Sequence, residues 1–103
     1  MQSSIDNREI HNPDDPNLFE ELTNDEKSEL LNWISNNFSP IKSFTSSYTS
    51  YGLKQKFSRT NFYVYNGVFK GAMRKAGYKV QNYNDKNWVF NISKKSKYFR
   101  NSD

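Results

Sequence analysis

The chain has 103 residues, 34% of them hydrophobic and 17% aromatic, with no cysteine and a single histidine. These figures bound it to one small domain whose core leans on Phe, Tyr and Trp. They exclude disulfides, thiolate metal sites and cysteine nucleophiles, and no apolar run approaches the ~18 residues of a membrane span. The opening MQSSIDNREI lacks the basic-then-apolar pattern of a secretory signal, so a soluble, cytoplasmic protein is expected. The net charge of +4 conceals a division: residues 1–40 hold nine acids and two bases, whereas residues 41–103 hold thirteen bases and two acids. Such asymmetry points to a body that faces a polyanion and carries an acidic head.

Residues 1–16 are polar, contain two of the three prolines and show no hydrophobic period. They read as a flexible acidic tail. In the LFEEL that follows, Leu18, Phe19 and Leu22 have the spacing of a short amphipathic turn docked on the core. The first helix opens at Thr23, which forms a capping-box pattern with Glu26. Leu30, Trp33, Ile34 and Phe38 make its buried stripe, and Pro40 stops it. Ile41–Phe44 reads as a very short strand. A second helix is expected from about Ser47 to Ser58, with Leu53 and Phe57 as an i, i+4 apolar pair and Lys54, Lys56 and Arg59 outward. TNFYVY is an extended connector.

The third helix has Asn66 as N-cap and Gly77 as the left-handed residue after its end. Phe69, Ala72, Met73 and Ala76 form its inward stripe, leaving Gly67, Lys70, Gly71, Arg74 and Lys75 outward. YKVQNY and NWVFNI then read as two strands around the turn at residues 84–87, and SKKSKYFR as a basic tail. The fold class is therefore α+β, mainly α: a small winged helix-turn-helix-like domain of three helices and a C-terminal β-hairpin over residues 17–93, between the acidic tail and a basic tail at 94–103. The connector between the second and third helices is longer than that of a strict helix-turn-helix.

A glycine in mid-helix costs about 1 kcal/mol relative to alanine, so Gly71 calls for a reason. One reason is DNA: without a side chain at 71, the helix backbone approaches a phosphate backbone closely, beside Lys70, Arg74 and Lys75 and a helix N-terminus suited to anions. The other is packing, with Gly71 turned inward beneath a bulky neighbour such as Trp88, or Gly67 and Gly71 forming a small-residue contact pair. Lys79, Lys86, Lys94 and Lys95 extend the basic surface along the hairpin and tail, and Lys54 and Arg59 extend it along the second helix. Eleven lysines against four arginines favour phosphate contact over base readout, with Asn66 and Arg74 as the candidate base readers. Tyr48, Tyr51, Tyr63, Tyr65 and Tyr83 are either half-buried core residues or stacking platforms for single strands. The acidic head either competes with nucleic acid for the basic body, binds a protein partner, or is simply solvated.

No catalytic set assembles around His11, no cluster has metal-ligand spacing, and neither a P-loop nor a dinucleotide fingerprint occurs. The expectation is a non-enzymatic protein without metal or cofactor. The pieces Ser-Tyr-Gly-Leu-Lys, Phe-Tyr-Val, Asn-Gly-x-Phe-Lys, Ala-Gly-Tyr and Asn-Trp-x-Phe-x-Ile, spread over residues 46–96, give the chain its one family likeness. Over that half it resembles a loose group of small proteins from phages and genomic islands of low-GC Gram-positive bacteria. The resemblance implies a mobile-element setting in a bacterial host cell and supplies no catalytic residue.

Two functions fit. The first is a DNA-binding accessory or regulatory protein that contacts duplex DNA with the helix 66–76 and the basic hairpin. The second is an inhibitor that binds a bacterial nucleic-acid enzyme or defence nuclease in the manner of an anti-CRISPR protein.

Overall fold

The computed structural model describes residues 12–44 and 48–96. They form a mainly helical unit with the chain order 3-10 helix Pro16–Glu21, α1 Asn24–Asn37, α2 Ser50–Thr60 and α3 Asn66–Lys75. No described helix is long and apolar enough to cross a membrane.

The helix ends follow the local chemistry of the sequence. Thr23 Oγ1 accepts from the Glu26 backbone N–H at 3.2 Å, and Glu26 Oε1 accepts from the Thr23 N–H at 2.9 Å, which completes the capping box of α1. Thr49 caps α2, which therefore starts three residues later than its pattern suggests. At the end of α3, Gly77 has φ 96°. There the Gly77 and Tyr78 N–H groups donate to the carbonyls of Arg74 and Met73, the paired bonds of a Schellman motif.

All three helices meet around Trp33. Its ring stands edge-on to Phe38, Phe57 and Phe69, at centroid distances of 5.5, 5.4 and 6.2 Å, the arrangement that the aromatic quadrupole favours. Leu30, Ile34, Leu53, Phe57, Val68, Phe69, Ala72 and Met73 are fully buried around it. Ala76, expected to continue the inward stripe of α3, is exposed because the helix ends there.

The expected hairpin is reduced to a single antiparallel bridge, Val80–Phe90, with the Gln81 N–H donating to the Val89 carbonyl at 2.9 Å. No strand longer than one bridge forms among the described residues. The cause is that residues 88–92 serve three neighbours: Thr49 bridges to Val89, Val80 to Phe90 and Pro40 to Ile92. Asn91 interrupts any longer ladder. Its side chain accepts from the Lys79 N–H at 2.7 Å and donates to the Ile41 carbonyl at 2.8 Å, clipping three segments together. The short strand expected at 41–44 is limited in the same way to the Pro40 bridge and one bond from the Ile41 N–H to the Asn91 carbonyl.

The boundary drawn at residue 16 also moves. Residues 12–16 belong to the folded unit: the Pro13 carbonyl accepts from the Gly67 N–H at 2.8 Å, and Asp14 accepts from Asn66. Residues 1–11 of the expected tail lie outside the described residues. At the other end the fold reaches Ser96, whose hydroxyl accepts from the Ser39 N–H at 2.9 Å. Lys97 and Arg100 of the expected basic tail lie outside the described residues.

Candidate nucleic-acid interface

The face of α3 expected to meet DNA is covered by the chain itself. The 3-10 helix lies across it, with Phe19 2% exposed and Leu22 5% exposed in the shared core. A Cβ at Gly67 would overlap the Asp15 backbone, and one at Gly71 would overlap the Pro16 carbonyl and the Phe19 side chain. Gly71 is therefore a packing glycine, and its neighbour is the 3-10 helix rather than Trp88. Both glycines let backbone meet backbone, as the spacing suggests, but the second backbone is protein.

Lys70 is covered with it. Only 4% exposed, it donates from Nζ to the Lys86 carbonyl at 2.9 Å and lies 4.6 Å from the Trp88 ring centroid. Burial lowers its pKa from the usual lysine value, and attraction to Asp14 and Asp15 partly restores it. Asn66 is not a cap or a base reader. It is the first residue of α3 after the N-cap Tyr65, and its side chain knits four segments. Its Oδ1 accepts from the Ser50 hydroxyl, while its Nδ2 reaches Asp14, the Lys86 carbonyl and Asn87 Oδ1 at 2.9, 3.2 and 3.1 Å. Ser50 completes the knot by accepting from the Trp88 N–H at 3.0 Å. Exposed placement is thus corrected to burial for Asn66, Gly67, Lys70, Gly71 and Lys54, because the N-terminal segment and the 86–88 segment cover α3 and α2 packs its own lysine inward.

The remaining predicted cations are exposed: Arg59 on α2, Arg74 and Lys75 at the end of α3, and Lys79, Lys86, Lys94 and Lys95 beyond it. They do not form one patch. Arg74 reaches Asn17 at 3.4 Å beside the 3-10 helix, where Glu20 feels both it and Lys75. Lys94 and Lys95 line a depression of about 430 Å³ with Ile41, Phe44 and Ile92.

No family model, curated protein or solved structure matches the chain.

The structure does bring Lys54, Asn66 and Lys86 together, in a cleft of about 530 Å³ whose aromatic wall is Tyr51, Tyr63 and Tyr65. Lys54 is 5% exposed, and its ammonium lies 5.1 Å from the Tyr51 ring centroid and 4.6 Å from that of Tyr63. Burial lowers its pKa, with no carboxylate near enough to raise it again. Among the described residues nothing accepts a hydrogen bond from Lys54. The cleft is where the sequence is least informative. The tyrosines and Lys54 are each visible as residue types, but their convergence depends on how residues 61–65 fold back over α2.

Proposed function

We propose that the chain is a non-enzymatic nucleic-acid-binding protein, an accessory or regulatory factor of a mobile genetic element in a bacterial cell. One observation supports this reading above the others. Nine cations are exposed on several elements: Lys42, Lys56, Arg59, Arg74, Lys75, Lys79, Lys86, Lys94 and Lys95. Among the described residues Lys86 alone of these has a carboxylate within 4.0 Å, Asp14 at 3.9 Å. A surface built only for solubility intersperses both signs, whereas unpaired cations are free to replace the counterions of a phosphate backbone.

On this reading duplex DNA is held by phosphate contacts rather than by α3 in a groove. The winged-helix likeness is kept only in the turn closed by the Val80–Phe90 bridge, which acts as a small wing carrying Lys86. The test is a salt titration of binding to duplex DNA, single-stranded DNA and RNA. The expected result is an affinity that falls by about 0.9 log units per phosphate contact for each log unit of salt on duplex. No binding at low salt to any of the three, together with tight binding to a nucleic-acid enzyme, would replace this reading with the inhibitor.

A further inference from the structure

The cleft beside α2 contains a charge held at a cost. An ammonium taken out of water is unfavourable unless it is paired or hydrogen-bonded. Lys70 shows how this chain satisfies one, through a carbonyl, an indole ring and two neighbouring aspartates. Lys54 is buried to the same degree but has only the two tyrosine rings. Among the described residues it makes no hydrogen bond or ion pair, and since no fully buried polar atom is left without a partner, its ammonium opens into the cleft.

The surroundings define what would fill that space. Lys86 stands at the rim, exposed. The start of α3 forms part of the cleft wall through Tyr65 and Asn66, and its Gly67 N–H already donates to the Pro13 carbonyl at 2.8 Å. Asp14 also lines the cleft, but its carboxylate accepts from Asn66 and is countered by Lys86 and Lys70. The cleft thus carries two lysines, Lys54 and Lys86, against one carboxylate that is already engaged. Beside it Tyr51 and Tyr63 are 48% and 45% exposed, a large aromatic area for rings on the surface of a small protein. Asn87 Oδ1 accepts from Asn66, which leaves its Nδ2 donors for a ligand. The volume lies within the roughly 300–1,000 Å³ typical of small-ligand sites.

An anion site flanked by flat aromatic rings and an amide donor matches a phosphate attached to a base. We propose that this cleft seats one unpaired nucleotide of a single-stranded nucleic acid, its phosphate on the Lys54 ammonium and its base packed against Tyr51 and Tyr63. The inference rests on the nucleic-acid reading above and adds to it a preference for unpaired over paired strands. A duplex offers its phosphates to the exposed lysines, but its stacked bases cannot reach the tyrosine wall.

The experiment compares single-stranded and duplex oligonucleotides of equal length, a free mononucleotide and a polyglutamate peptide, on the wild-type chain and on Lys54→Met, Tyr51→Ala and Tyr63→Ala. The single strand is expected to bind more tightly than the duplex. Each substitution is expected to weaken it about tenfold or more, the range of losing one stacked base, while duplex affinity changes by less than about twofold. The two tyrosine variants remove exposed rings and leave the core intact. Unchanged single-strand affinity in folded variants overturns the inference while duplex binding keeps the broader reading. Equal affinity for polyglutamate overturns it by showing that charge alone is recognised. A mononucleotide that binds as tightly as the strand assigns the cleft to a soluble nucleotide and overturns the strand assignment. Failure of every nucleic acid to bind overturns both readings.

Discussion

A buried lysine and a buried glycine show at the residue scale what serves packing and what is kept for another purpose. Gly71 and Gly52 are both helical glycines, yet their surroundings are opposite. Around Gly52 an added Cβ meets nothing within 4 Å, whereas at Gly71 it meets the Pro16 backbone. Gly52→Ala should therefore raise stability by up to about 1 kcal/mol through helix propensity. Gly71→Ala should lower it by about 1–3 kcal/mol through overpacking, despite the same propensity gain. Thermal melts of the two variants check this, and a neutral Gly71→Ala would mean that the 3-10 helix does not lie on α3. Lys54 gives a second residue-scale prediction. Its pKa is lowered by burial, so above that lowered value the unfolded chain binds more protons than the folded one. Stability then rises with pH until the unfolded lysine also titrates, near 10.4. Lys54→Met should be at least as stable as the wild type at pH 7, and its advantage should shrink as pH climbs through that window. Denaturant unfolding at pH 7 and at pH 10 measures the difference. Tyr78, whose pKa burial raises, pulls the other way in both proteins and so drops out of the comparison.

At the scale of elements, legibility depends on distance along the chain. The capping box of Thr23 and Glu26, the glycine stop at Gly77 and the apolar pair Leu53–Phe57 each involve residues within one helical turn or its cap, and all are found where local chemistry places them. The docking of Phe19 and Leu22 is also legible, from their spacing alone. What stays hidden is which surface they dock on. Gly67 and Gly71 meet Asp15 and Pro16 from about fifty residues away, and no periodicity reports a contact of that span. For the same reason Lys70 and Lys54, polar by type and helical by position, read as solvent-facing although the segments that cover them lie elsewhere in the chain. Of the expected hairpin only the isolated bridge between Val80 and Phe90 is present, and Asn91, whose side chain is committed to neighbouring backbone, leaves no ladder beside it. A truncation tests the role of the N-terminal segment. Removing residues 1–16 deletes the Pro13 carbonyl that accepts from Gly67 and the Asp14 carboxylate that accepts from Asn66. The melting temperature should fall by several degrees, since about 1 kcal/mol corresponds to 4–8 °C in a domain near this size. An unchanged melt would return residues 12–16 to the status of a tail.

For the whole molecule the question is which cations touch a polyanion, because the exposed ones lie on several elements. Lys56 and Arg59 are both on α2, the helix that supplies Tyr51 and Lys54 to the cleft, while Lys94 and Lys95 line the separate depression with Ile41 and Phe44. All four are exposed, so reversing their charge leaves the core untouched. If the cleft is the centre of the interface, Lys56→Glu/Arg59→Glu should weaken single-strand binding more than Lys94→Glu/Lys95→Glu does. For every phosphate that the reversal leaves without its cation, the dependence of log K on log salt should flatten by about 0.7 on a single strand and about 0.9 on duplex. A weaker affinity with an unchanged salt slope would mean that the reversed residues repel the nucleic acid from a distance rather than touch it. The opposite ranking, with Lys94 and Lys95 dominant, would move the interface to the second depression. There the exposed Ile41 and Phe44 side chains, rather than tyrosines, would meet the bases.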